Sequence, residues 1–312
     1  MNNLQHQLAV KEAVKGRFKG SRPLVSKVTP AYPDTAEREF QRITNRYMRV
    51  LNKTLKKHLP AMMAAYQRQR HGDSRFDDIR DVENTVNDEI HKAAEEIEQA
   101  IAEFGLEEFI EKIANMTKNK TLSEWKRVVQ ETLGIDLMDD YYKGDFYARA
   151  LKDWVDGNVL KIKSIPTETL GRMQNIILDG YRQGMTIRDL TKLIQEEYGT
   201  TRHRAAMLAR DQVATLNAQI TKLQQQDAGV THYRWSDSRD SRVRDCHRAL
   251  NGKVFSWDEP PEMWYETKSR GRVYTGRRCH PGEDYCCRCI AIPEFDYDTI
   301  DIPMKPLDSK QR

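Results

Sequence analysis

"VTHYRWSDS", residues Val230–Ser238, is where the character of this chain changes. Its residues alternate as they do in a half-buried strand. Short β-like runs follow, "GKVFSW", "GRVYTG" and "CIAIPEF", divided by glycine and proline. Residues 230–297 therefore predict a small, loop-rich β module.

Upstream of Gly229 the period is helical. Ala209, Val213, Leu216, Ile220 and Leu223 form one apolar stripe, and Ile79, Val82, Val86, Ile90, Ala93, Ile97, Ile101 and Phe104 another. Phe40, Ile43, Tyr47, Val50 and Leu55 begin a helix near Thr35 that Pro60 is expected to end, with a second short helix starting at Pro60 itself. His71-Gly72 then separates these from the long 79–104 stripe, which Gly105 stops. Helices are predicted at 106–117, 122–133 and 139–154. "DGNVLKIKSIP" (156–166) reads as a turn, an alternating stretch and a proline, and marks the expected boundary between domains. Thr186 with Asp189 caps the next helix. The fold class read from these patterns is mainly α with a small C-terminal β-rich module. Its parts are a basic arm (1–33), a helical N-terminal domain (34–160), a helical segment (161–229), the β module (230–297) and an extended, weakly ordered tail (298–312).

A length of 312 residues suits about two domains. The 51 basic and 47 acidic residues leave a net charge of +4, so the chain as a whole does not carry the strong positive field of a nucleic-acid binder. The arm differs from that average. Lys11, Lys15, Arg17, Lys19, Arg22 and Lys27 face only Glu12 within residues 1–30, a combination that can bring DNA phosphates or an acidic protein to it, or simply form a solvated tail. No run of 18 apolar residues is present, and the N-terminus lacks the apolar stretch of a signal peptide. A reducing compartment is the expectation.

There the cysteines matter. Four of the five, Cys279, Cys286, Cys287 and Cys289, fall in "CHPGEDYCCRC", and Cys246 lies 33 positions upstream of Cys279 beside His247. A module of about seventy residues buries little apolar surface and often needs a staple. In a reducing compartment a metal can serve, most naturally Zn2+ with four nitrogen or sulfur ligands. In extended chain Cys287 and Cys289 share a face, while Cys286 and Arg288 share the other. Cys287 and Cys289 are thus one candidate ligand pair. His247 and His280 are the best second pair by residue type, with Cys246 and Cys279 as substitutes. Buried free thiols are the competing reading.

Within "SDSRDSRVRDCHRALNGKVF" (236–255) Asp237, Asp240 and Asp245 alternate with Arg239, Arg242 and Arg244, a pattern that can brace a turn through ion pairs or bind phosphate, and Asn251-Gly252 reads as a hairpin turn. "MTIRDLTKLIQEEYGTTRHRAAMLARDQV" resembles a helix-turn-helix hinged at Gly199-Thr200. No Walker loop, dinucleotide fingerprint or nucleophile elbow occurs, so no enzyme template is found.

The ordered series Trp235, Asp240, Arg242-Val243-Arg244, His247, Leu250-Asn251-Gly252, Val254-Phe255, Pro281-Gly282 and Cys287-Arg288-Cys289 resembles the Mu F-like head morphogenesis family of tailed phages, as does the preceding glycine turn and long helix. The resemblance covers about residues 165–293. It implies a non-enzymatic minor head protein of the virion, assembled in the host cytoplasm. Its implied partners are the portal, the major capsid or scaffolding protein, and non-specifically bound double-stranded DNA. It also marks His247, Cys287 and Cys289 as motif positions, beside the structural residues Trp235, Asp240, Arg242, Arg244, Gly252 and Gly282. Cys246, Cys279 and Cys286 are extra thiols relative to the family pattern, and Asn251 stands where aspartate is common. The alternatives are a DNA-binding protein working through the arm and the helix-turn-helix-like segment, and a zinc hydrolase in which water is one of the four ligands.

Overall fold

The computed structural model of the chain describes residues 3–20, 22–70, 77–138 and 140–305. The predicted break at His71-Gly72 and the tail beyond residue 305 lie outside the described residues. Helices dominate: α1 (Asn3–Val14), α2 (Asp34–Arg70), α3 (Asp77–Ala102), α4 (Leu106–Leu133), α5 (Asp145–Arg182), α6 (Ile187–Asp227) and the short α7 (Asp245–Leu250). The strands are β1 (Leu24–Val25), β2 (His232–Ser236), β3 (Val254–Ser256), β4 (Glu262–Thr267), β5 (Gly271–Arg278) and β6 (Ile290–Phe295). A mainly helical chain with a small C-terminal β region is what the sequence predicts.

Two compact units are present. One comprises Met1–Glu37, Ala114–Trp154 and Asp211–Arg312, the other Arg38–Ile113 and Val155–Arg210. These limits differ from the predicted ones, because each unit is assembled from separated stretches of chain.

Four predicted breaks are continuous helix instead. Pro60 lies inside α2 and Pro166 inside α5, and 156–166 is helical throughout. A proline removes one helical hydrogen bond. Here that local cost is outweighed by burial of Val155, Val159 and Ile162 on one side of α5, at the three- and four-residue spacing of a helix face. Gly199-Thr200 is likewise interior to α6, so the predicted helix-turn-helix is not formed. Thr201 is buried and its hydroxyl bonds Glu197 at 3.2 Å, while Tyr198 donates to the Met48 carbonyl at 3.3 Å. One glycine costs a helix about 1 kcal/mol, which these contacts offset. The helices predicted at 106–117 and 122–133 are one helix, α4.

The second unit packs Met48, Leu51, Val82, Val86, Ala93, Ile97, Met173 and Ile177 into one core. His58 is buried within it, with Nδ1 2.7 Å from Glu89 and Nε2 3.2 Å from Glu96.

The first unit carries the β module. Its antiparallel sheet has the order β1-β6-β2-β3, with Tyr233 opposite Pro293 and Phe255, and Leu24 opposite Phe295. Strands β4 and β5 form a separate hairpin. The C-terminal part of α6 anchors the sheet through buried polar groups. Gln225 donates to the Ala291 carbonyl at 2.9 Å and accepts from Trp257 Nε1 at 3.3 Å.

The described residues of the basic arm and residues 298–305 of the predicted tail are folded into this unit. Val10 and Val14 of α1 are fully buried with Trp125, Val129 and Phe295, as are Ile300 and Ile302. His6 meets the Ile302 carbonyl at 2.9 Å, and Lys11 donates to the Asp298 carbonyl at 2.9 Å. A buried valine contributes about 1.5–3 kcal/mol, enough to hold a short helix that lacks a strongly amphipathic sequence. Lys19, Arg22 and Lys27 remain exposed.

Glu124, on α4, supplies a pH prediction. Burial raises its pKa, but Lys120, the Ala31 N–H and Arg127 outweigh that and hold it at about 2, below the ordinary 4.5. A depressed carboxylate pKa gives stability that is present above the unfolded value and lost as pH falls through the folded one. Unfolding midpoints in urea should therefore decline from about pH 5 towards about pH 2. In Glu124→Gln that decline should be shallower, and equal slopes would refute the assignment.

Candidate metal centre

Helix α7 and the loop 279–289 build the site. α7 turns back after Arg244 and buries Cys246, His247 and Leu250. Because α7 intervenes, Asn251-Gly252 ends a helix rather than forming the predicted two-residue hairpin turn. The Gly252 N–H donates to the Trp235 carbonyl at 2.8 Å. In the opposing loop Gly282 has φ +86°, and a Cβ there would lie 2.8 Å from Ala218 Cβ, so the loop packs tightly on α6. Cys286 also has a left-handed φ of 52°. Its N–H is held by Asp211 Oδ1 at 2.8 Å, and beyond this turn Cys287 and Cys289 enter the core.

His247, Cys287 and Cys289 converge, with their ligand atoms all within 4.8 Å of one another. His247 Nδ1 is 3.5 Å from Cys287 Sγ and 3.7 Å from Cys289 Sγ. A tetrahedral zinc with Zn–S of about 2.3 Å and Zn–N of about 2.05 Å separates such atoms by about 3.6 Å. Exposure is 2% for His247, 3% for Cys287 and 4% for Cys289, so solvent does not reach the cluster. The Cys289 N–H points at Cys287 Sγ from 3.4 Å.

On its far side the His247 ring faces a carboxylate. Nε2 is 3.2 Å from Asp284 Oδ2, an ion contact off the axis of a good hydrogen bond. Asp284 is 3% exposed and is held by Arg277 at 2.9 Å and Arg244 at 3.3 Å. Burial raises its pKa, but His247, Arg244, the Tyr285 N–H and Arg277 bring it down to about 2. Burial lowers the pKa of His247, while Asp284 and Cys287 overcome that and push it up to about 9. Hydrogen bonding from Cys289, opposed by burial and assisted by His247, brings Cys287 well below the ordinary thiol range. Cys289 is held up by its hydrogen bond to Cys287 and by burial. The cluster thus brings two sulfurs and one imidazole nitrogen together with a carboxylate behind the ring, the ligand types of a soft divalent cation, whose binding would have to displace the protons held by His247 and Cys289.

Of the predicted ligands, His280 stands outside this cluster. Its Nδ1 is 2.9 Å from the Tyr233 hydroxyl, and its ring lies against Tyr233 and Trp257. Cys246 is buried and Cys279 half-buried at the border of the same apolar cluster. Trp235 is fully buried, with its ring 5.4 Å from that of His247. Asp240 pairs with Arg288 and, at 3.4 Å, with Arg242. Arg244 bonds the Tyr285 carbonyl at 2.6 Å as well as Asp284, so the alternating acids and bases brace the loop around the site. Sequence reasoning missed Asp284. In "PGEDY" it reads as a turn acid, and only the fold shows that it is buried against His247.

Residues 172–292, which contain α7, β2–β5 and every candidate ligand, match the family described as Phage Mu protein F like protein. That segment is similar to the Mu F-like phage family. An uncharacterized protein of Haemophilus influenzae is 34% identical over 155 residues. That alignment covers 50% of this chain and 32% of the relative, so the chain spans about a third of that protein's length. No solved structure matches. The Mu F-like segment begins within α5, continues through α6 and ends in β6. It thus takes in both the sheet's helical anchor and the cysteine loop. No described helix is long and apolar enough to cross a membrane.

Proposed function

We propose that the chain is a structural, non-enzymatic minor head protein of a tailed phage, acting in head assembly at the portal with capsid or scaffolding protein as a further partner. The Mu F-like segment carries this reading. In it the helices supply partner surfaces, and the protein resides in the virion after assembly in the host cytoplasm.

A Zn2+ ion held by His247 Nδ1 and the sulfurs of Cys287 and Cys289 staples the β module. Cys246 and Cys279 are the thiols at hand for the fourth position. The near-tetrahedral S–N separations and the Asp284 carboxylate behind the imidazole support this, and burial favours a staple over a hydrolase, whose zinc keeps a position open to water. Bound zinc would supply cross-linking and charge neutralisation there.

The assembly reading is tested by producing the tagged chain together with the head proteins of its phage and sedimenting the particles. The tag should travel with portal-containing procapsids and fall at least about tenfold when portal is omitted, as expected when a specific partner sets the binding. A tag that stays at the top of the gradient in both cases overturns the reading.

A further inference from the structure

The β4–β5 hairpin holds five basic residues, four of which take no part in the candidate metal centre. Lys268, Arg270, Arg272, Arg277 and Arg278 stand against Glu262 and Glu266, a net +3 over residues 262–278. All five basic side chains are exposed. Arg277 is committed to Asp284, whereas the other four have no carboxylate partner among the described residues. Glu262 is occupied by the Gly276 N–H at 3.0 Å.

The hairpin is also stiff. Thr267 Oγ1 accepts from the Arg270 N–H at 3.1 Å and donates to the Gly271 carbonyl at 3.3 Å, which locks the tip that presents Lys268 and Arg270. The Arg272 guanidinium lies 4.3 Å from the centre of the Trp264 ring, holding its charge in place. Trp264 pairs with Tyr274 and Tyr265 with Val273, so Tyr274 and Tyr265 project from opposite faces, 60% and 54% exposed.

We propose that this hairpin binds double-stranded DNA through its phosphates, without reading sequence. A two-stranded ribbon fits the roughly 12 Å major groove, whose phosphate rows flank an inserted ribbon on both sides. The charges here are arranged for such a partner: Lys268 and Arg270 at the tip, Arg272 on one face and Arg278 at the base. A flat acidic protein surface would meet only one of those faces. Tyrosines on opposite faces give no continuous platform for stacking a single strand, but both hydroxyls can donate to phosphate. The inference gives a place to the duplex DNA that the family resemblance implies as a partner, and depends on the head-protein reading only for which duplex is met. It moves the contact from the basic arm, whose Lys11 is engaged with Asp298, to the hairpin.

Anisotropy of a labelled duplex of about 20 base pairs, titrated with the full chain at several salt concentrations, tests it. Each phosphate-neutralising cation contributes about −0.9 to the slope of log K against log salt, so four predict about −3.6. The triple variant Lys268→Gln/Arg270→Gln/Arg278→Gln should reduce the slope to about −1 and weaken binding at least about tenfold at low salt. Its circular dichroism should be unchanged, since these side chains are exposed. Lys19→Gln/Lys27→Gln should bind as the parent does. Parent-like binding by the triple variant, or a loss that follows the arm residues, overturns the proposal. So does binding of labelled poly-glutamate but not duplex, which would assign the hairpin to an acidic protein. The assay needs no procapsid, so its failure leaves portal association untouched, and failed sedimentation leaves duplex binding untouched.

Discussion

Cys289→Ser is expected to take zinc from about one ion per chain to near zero and to unfold the β module. Protein purified without chelator and analysed by mass spectrometry gives the first number, alongside a count of free thiols. Structural zinc in small domains carries an apparent binding energy of about 10–16 kcal/mol, so losing one ligand should cost at least about 3 kcal/mol. Hydrogen exchange should then show lost protection in β2 and β6, with α3, in the other unit, retaining it. Strong chelation of the parent should give the same pattern. Cys246→Ser and Cys279→Ser separate the fourth-ligand candidates, since the one that lowers metal content is the ligand. A parent chain with no metal, five reactive thiols and an unchanged melt in Cys289→Ser would make the cluster a set of buried thiols.

Gly229→Ala should be nearly as damaging for a purely steric reason. Gly229 follows α6 with φ +73°, and a Cβ there would lie 1.9 Å from the Thr299 carbonyl oxygen and 3.2 Å from the Asp301 nitrogen. These are backbone atoms, so no rotamer relieves the clash. They are also tied in place, because Asp301 N–H donates to the Ala228 carbonyl at 3.1 Å and the Thr299 hydroxyl to that of Gly229 at 2.7 Å. Left-handed strain of about 1–2 kcal/mol and overpacking of about 1–3 kcal/mol together give about 3 kcal/mol. For a unit of this size that is a melting decrease of roughly 6–12 °C. Gly157→Ala is the control. It lies inside α5 with no heavy atom within 4 Å of the added methyl, so it should be neutral or stabilising by up to about 1 kcal/mol. Equal melting points for the two variants would sink the steric argument.

The sequence made the switch from helix to strand at Gly229 legible, because periods of 3.6 and 2 are local signals. Residues 232–236, 254–256, 271–278 and 290–295 are strands within runs that alternate on paper. It misled at Pro60, Pro166 and Gly199, where a breaker's local cost is overridden by apolar side chains contributed from distant segments. The arm and tail misled for the same reason. Val10 and Ile302 are unremarkable residues in polar stretches, and their burial depends on partners nearly 300 positions away. At the candidate metal centre, alternation picked out Cys287 and Cys289, and residue type put forward His247 together with His280. Residue type alone could not distinguish His280, which a tyrosine hydroxyl engages, or reveal the carboxylate of Asp284.

The pairing of β1 with β6 and the seating of α1 on residues 298–302 have a consequence for synthesis. While the ribosome is still making α2 to α6, Leu24 has no strand to join, and Val10 and Val14 have no complete apolar bed. Residues 3–25 must therefore wait, exposed, for segments made much later. Closing so large a loop is slow compared with forming the intervening helices. Nascent chains halted before residue 290 should thus be cut by protease within residues 3–25, and chains that also present residues 290–305 should resist.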